Sequence, residues 1–155
     1  MILRCTKFGL KFNLTISHVA RVIGVNSEVG DGRHILMWDF DEVPLEKVKQ
    51  DLLFVQNRYA LSDIHILRTK EPDNYIAYCF SAFEWRRAVE IVAQSWFMDW
   101  QFFRFGVFRE KFTLRVTPKG KRTPYLVERL EGYCLPDIKP SDLKSWVRYE
   151  TLNWR

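Results

Sequence analysis

Residues 34–41 read HILMWDFD, an apolar run closed by two aspartates one residue apart. Eight residues are too few for a stable helix, and the run suits a buried strand. Pro44 follows and opens a helix at its favoured first position, with Glu46 close to the positive end of the helix dipole. Leu45, Val48, Leu52, Val55 and Tyr59 recur at helical spacing and give that helix one apolar face. Further along, residues 62–69 (SDIHILRT) and 75–80 (YIAYCF) read as strands on either side of a turn at Pro72. Ser81 and Glu84 have capping-box spacing. They predict a second helix to about residue 97, with Trp85, Ala88, Val89, Val92 and Trp96 facing inward. Residues 111–117 (KFTLRVT) alternate as a strand, burying Phe112, Leu114 and Val116.

From residue 34 the order is strand, helix, strand, strand, helix, strand. That is the split βαβ order of ferredoxin-like and RRM-like folds, so the expectation is an α+β chain with an RRM-like βαββαβ core. The 155 residues make a single domain. Residues 34–133 hold the core, which includes a shorter strand at 125–130. Residues 1–33 form an extra N-terminal β unit. In it Phe8, Leu10, Phe12, Leu14 and Ile16 alternate with Lys11, Asn13 and Thr15, residues 18–25 make a second strand, and 26–32 (NSEVGDG) turn. This unit is available to cover the open face of the sheet. Residues 134–155 form a tail in which Ser141 caps a short helix carrying Leu143, Trp146 and Val147.

The composition is ordinary for a globular chain, 47% hydrophobic and 28% charged. No apolar run has the length of a membrane helix and no signal-peptide pattern opens the chain, so the expectation is a cytoplasmic protein with no membrane partner. Cys5, Cys79 and Cys134 lie far apart and form no CxxC, which predicts reduced thiols and no zinc. Charge is unevenly spread. Residues 1–103 carry 12 Lys/Arg against 13 Asp/Glu, and residues 104–155 carry 12 against 6. Seven basic residues and one acid, Glu110, fall within 104–122. A basic block on a near-neutral body suits an anionic partner such as nucleic acid, or simply a solvated surface. Phosphate-loop, nucleophile-elbow and dinucleotide motifs are absent, as is any HxH pair.

Asp39 and Asp41 share one face of their strand, opposite Leu36, Trp38 and Phe40. Two carboxylates so placed repel unless a cation or basic groups neutralise them. Oxygen donors without histidine or cysteine suit Mg²⁺ or Mn²⁺, which in turn hold phosphates. The plainer alternative is a strand end running into solvent. On the neighbouring strand Asn74, Ile76, Tyr78 and Phe80 are in phase with the aspartates, and Tyr78 is a candidate for stacking on a base. On 111–117 the face carrying Arg115 is shared with the Asp pair, and Lys119, Lys121 and Arg122 follow in a Pro-Gly loop. Arg115 either holds phosphate or neutralises Asp39 or Asp41 internally. Asp99 is either a third metal carboxylate or a helix-end residue. His65, mid-strand, reads as structural.

The strand-borne Asp39-Phe-Asp41, followed by a helix and two strands, resembles the archaeo-eukaryotic primase superfamily. Residues 67–80 (LRTKEPDNYIAYCF) look like its second conserved strand pair, and Arg109, Leu114, Arg115 and Lys119 like its third-motif region, over residues 34–122. The resemblance implies an RRM-like fold and Mg²⁺ or Mn²⁺ on Asp39, Asp41 and Asp99. It also implies metal-dependent nucleotidyl transfer on a single-stranded template or primer-template, in a replication protein of viral or plasmid type. Arg109, Arg115, Lys119, Lys121, Arg122 and Tyr78 would contact nucleotide or nucleic acid. The family's second motif carries a histidine where this chain has Ile76, so a minimal or divergent core is implied. The alternatives are a non-catalytic single-strand-binding or replication accessory protein, and a metal-dependent nuclease on the same acids.

Overall fold

The computed structural model describes residues 2–7, 10–15, 19–119, 122–143 and 145–152, with nearly all side chains from residue 19 on. The chain is a mixed α+β protein. β1 (Ile2–Lys7) and β2 (Leu10–Thr15) pair as an antiparallel hairpin. Phe8, Ile16 and His18 lie outside the described residues. A four-stranded antiparallel sheet has β4 (Arg33–Phe40), β6 (Asn74–Glu84), β5 (Ile64–Lys70) and β8 (Tyr125–Leu130) side by side in that order. A second antiparallel sheet flanks β3 (Val19–Asn26) with β7 (Thr113–Arg115) and β9 (Trp146–Leu152). No helix among the described residues is long and apolar enough to cross a membrane.

The first sheet packs its inner face on two helices. Leu36, Trp38 and Phe40 of β4 meet Val48, Leu52 and Val55 of α1 (Leu45–Tyr59), and Ala88, Ile91 and Val92 of α2 (Trp85–Val92) complete the same core. All nine are fully buried, as the periodicity of α1 requires. On its other face the sheet carries Met37 and Tyr78, and the core continues through them to Val25, Phe112 and Leu114 of the second sheet's side. Of the N-terminal unit, β3 belongs to the sheet on this side, with β7 and β9.

The strand order departs from the RRM-like expectation. There the last strand lies beside the first. Here the strand at Thr113–Arg115 pairs with β3, and β8 takes the fourth place, beside β5. The reason is that the free edge of β4 is already occupied. Ile35 N–H donates to Ser27 O (2.9 Å), and Asp99 N–H donates to Asp39 O (2.7 Å). Ser27 also exchanges bonds with Phe112, through its N–H to Phe112 O (2.8 Å) and its Oγ from Phe112 N–H (3.0 Å), which steers β7 onto β3.

Three further expectations are corrected. Ser81 caps no helix, because its hydroxyl is buried against Ser62, donating to Ser62 Oγ (2.9 Å) and accepting from Ser62 N–H (3.0 Å). The strand therefore runs to Glu84. The second helix ends at Val92, not residue 97. Buried Asp51 of α1 captures the next turn, accepting from Ser95 Oγ (2.6 Å), Trp96 N–H (3.0 Å) and Phe97 N–H (3.1 Å). Trp96 consequently points outward, and a third helix, α3 (Trp100–Arg109), starts afresh. The tail forms a single 3₁₀ turn at Pro140–Asp142 and then β9, paired with β3 from Val19↔Leu152 to Val25↔Trp146, where a short helix was expected.

Asp51 is thus the tie between α1 and the segment before α3. Asp51→Ala leaves three donors unpaired, and a hydrogen bond to a charged group is worth roughly 1.5–3 kcal/mol. The expected loss of stability is about 3 kcal/mol by urea denaturation, against under about 1 kcal/mol if the tie is dispensable.

Candidate functional site

A cavity of about 270 Å³ lies between the two sheets. The end of β4 contributes Asp39 and Asp41, and β6 contributes Asn74 and Ile76. Thr69 and Lys70 come from β5, Thr113 and Arg115 from β7, and Tyr149 from β9. Lys119 and Arg122 enter from the turn after β7. The phase read from the sequence holds here: Asp39 is paired with Ile76, and the Thr113/Arg115 face looks onto the aspartates. Gly24 makes room for the arrangement. A Cβ there would lie 2.6 Å from Leu114 O and 2.8 Å from the Tyr149 ring, so only glycine lets that ring cross β3 towards the cavity.

Asp39 is half-buried, and its carboxyl is pushed up to about 7. Burial is the main cause, the negative charges of Asp41 and Asp99 add to it, and Arg115 opposes it. Asp41 is exposed and accepts from the Asn74 amide. Arg115 forms no ion pair with either aspartate. Its guanidinium donates instead to the carbonyls of Thr117 (3.2 Å), Arg122 (3.2 Å) and Thr69 (3.4 Å). It therefore clamps the basic turn to the end of β5. Lys119 and Arg122 face each other as a two-residue antiparallel bridge, with Lys119 N–H donating to Arg122 O (2.9 Å) and Arg122 N–H to Lys119 O (3.2 Å). Burial lowers the Lys119 pKa, and the charges of Arg115 and Arg122 lower it further. Cations crowded in this way favour an anion among them.

The remaining candidates fall elsewhere. Asp99 lies near Asp39, but its carboxylate is the N-cap of α3, accepting from Gln101 N–H (3.0 Å) and Phe102 N–H (3.2 Å). It does not line the cavity, and no group of three or more His, Cys, Asp or Glu is placed to hold a metal among the described residues. Of the three carboxylates, Asp39 and Asp41 line the cavity and Asp99 does not. Tyr78 cannot stack on a base, since the second sheet buries it and its hydroxyl donates to Arg115 O (3.4 Å). Arg109 sits at the end of α3 against the Phe105 ring, away from the cavity lining. Lys121 lies outside the described residues. His65 packs edge-on against Phe80, and buried His34 bonds to Ser27 Oγ (2.9 Å), both structural. Cys79 and Cys134 are free thiols.

Sequence reading did not find Thr69, Lys70 and Tyr149. Tyr149 carries no signal in the sequence, because Leu143, Trp146 and Val147 before it have helical spacing while the segment forms β9. Asp99 did carry one, a carboxylate directly before a helix-forming run. Comparison with family models, curated proteins and solved structures returned no match.

The raised Asp39 pKa gives a sign to the pH dependence of stability. Between pH 4 and pH 7 the unfolded chain ionises this carboxyl while the folded chain keeps it protonated. Stability therefore falls as pH rises through that window and is flat above it. Asp39→Asn removes the slope. Because water partly screens the half-buried group, the expected gain is on the order of 2 kcal/mol at pH 8 and none at pH 4. Urea midpoints across this range test it, and a difference independent of pH would refute the assignment.

Proposed function

We propose that this chain is a nucleic-acid replication protein of primase-polymerase type, joining nucleotides on a single-stranded template in the cavity of Asp39 and Asp41. One observation carries the reading: paired strand-borne carboxylates and a clamped Lys119–Arg122 turn share one cavity between the sheets. The segment β4–α1–β5–β6–α2 is read as an RRM-like core whose last strand has been displaced onto β3.

Asp39 and Asp41 would hold Mg²⁺ or Mn²⁺, for which an all-oxygen donor set is suited. The ion, when bound, supplies neutralisation of phosphate charge at the reacting centre. The residues themselves divide the remaining work. Lys119 and Arg122 attract and orient the triphosphate, Lys as a point charge and Arg through its planar fork. Arg115 is a positioning residue, holding that turn against Thr69. Asp39, whose carboxyl is pushed up to about 7, would give up its proton for its oxygens to hold the ion. Asn74 fixes the orientation of Asp41. Ile76 offers the nucleotide no hydrogen bond, so phosphate recognition falls on the basic turn.

A second reading is a non-catalytic single-strand-binding or replication accessory protein. It is favoured by the capping role of Asp99 and by Ile76 beside Asp39, which together leave a two-carboxylate site.

The test is incubation with single-stranded template, Mg²⁺ or Mn²⁺ and nucleoside triphosphates. Metal-dependent synthesis is expected, falling by at least about 100-fold in Asp39→Asn, as loss of a group that stabilises developing charge does. Arg122→Ala is expected to raise the nucleotide KM about 10-fold. Binding without product supports the accessory reading, and cleaved template a nuclease; either result overturns the polymerase assignment.

A further inference from the structure

Helix α3 begins against the acid strand. Asp99 donates its N–H to Asp39 O and caps the helix with its carboxylate. The rotation of α3 is then set by its inner side. Phe102 and Phe103 stack on Phe112, with ring centroids 5.3 and 6.1 Å apart, and Gly106 lies directly over that ring. A Cβ at Gly106 would fall 2.2 Å from Phe112 Cδ1, so the helix can approach only here. Turned this way, α3 presents Trp100 (63% exposed), Phe105 (57%) and Phe108 (86%) outward, with Trp96 (80%) just before it. Isolated exposed aromatics are ordinary, but a row of four on adjoining turns marks an interaction surface.

The row is interleaved with cations. Arg104 sits one turn from both Trp100 and Phe108, and the Arg109 guanidinium lies 5.7 Å from the centre of the Phe105 ring. A membrane-surface helix separates its aromatic and basic faces. Here Trp100, Arg104 and Phe108 follow one another at four-residue spacing, with Phe105 and Arg109 in the neighbouring row, which suits a partner that alternates flat apolar groups with negative charge. We propose that this aromatic–arginine face of α3 binds single-stranded nucleic acid. Bases stack on Trp100 and Phe108, Arg104 and Arg109 meet the phosphates, and the strand is led towards the Asp39 cavity. The direction towards the cavity rests on the proposed reading of that cavity as a nucleotide site.

The experiment measures binding of a short fluorescent oligothymidylate by anisotropy, in parallel with binding of a labelled nucleoside triphosphate. Trp100→Ala combined with Phe108→Ala is expected to weaken oligonucleotide binding at least 10-fold, since each stacked base is worth roughly 1–3 kcal/mol. Trp100→Tyr, which keeps a π face, is expected to stay near wild type, and both residues are exposed enough for the variants to retain the wild-type Tm. Unchanged oligonucleotide affinity in the double variant overturns the proposal. So does unchanged affinity accompanied by loss of anionic-vesicle binding or of self-association, which would make the face a lipid or protein contact. Failure of the cavity reading shows separately: the unaltered protein then binds no nucleotide, while oligonucleotide binding still depends on Trp100 and Phe108.

Discussion

The outer edge of β4 is satisfied at two points, and the architecture follows from them. At Ile35 the edge donates to Ser27 O, which brings the end of β3 alongside and, through Phe112, recruits β7. At Asp39 it accepts from Asp99 N–H, which brings the start of α3. A bare edge strand is a liability that proteins cover in one way or another. Here the cover also decides what stands opposite the two aspartates. Had Thr113–Arg115 joined β4 as a fifth strand, Arg115 would lie beside Asp39 in one sheet. Because it joins β3, the two face each other across a cavity.

That separation explains the electrostatics. Acid and base line the same space, yet Arg115 spends its donors on three carbonyls, and Asp39 is left half-buried near a second carboxylate, in no ion pair with Arg115. A chain selected for stability alone would close such a pair or replace it with apolar groups of similar volume. Local violations of otherwise consistent packing concentrate where a fold does chemistry or binding. The core beneath it is apolar and closed: Leu36, Trp38 and Phe40 of β4, Val48, Leu52 and Val55 of α1, and Ala88, Ile91 and Val92 of α2 are fully buried.

Much of this was legible in the sequence, and what was not has identifiable causes. The run HILMWDFD, the apolar stripe of α1, and the strands around Pro72 were readable because their periodicity is strong and their neighbours in space are neighbours in sequence. The shared face of Asp39, Asp41 and Arg115 followed from alternation alone. The partner of the strand carrying Arg115 did not, since pairing with β3 joins residues nearly ninety positions apart and turns on one serine. Ser81 and Glu84 satisfy the capping rule, but a buried hydroxyl partner on β5's approach, Ser62, outcompetes the cap. α3 is apolar on nearly every side, so it shows no amphipathic period, and its glycine reads as a break until Phe112 is seen beneath it.

The placement of the tryptophans has an optical consequence. Trp38 is wholly enclosed in the core, whereas Trp96, Trp100 and Trp146 stand mostly in water. The first emits from an apolar surround and is shielded from aqueous quenchers, and the other three emit at longer wavelength and are open to them. Among these four tryptophans, collisional quenching therefore separates an interior component, lost with the fold, from a surface component of Trp96 and Trp100 at the start of α3 together with Trp146 on β9. A molecule that covers α3 dims or protects the second while leaving the first unchanged. Unfolding and occupancy of that helix thus carry separate spectral signatures within the natural chain.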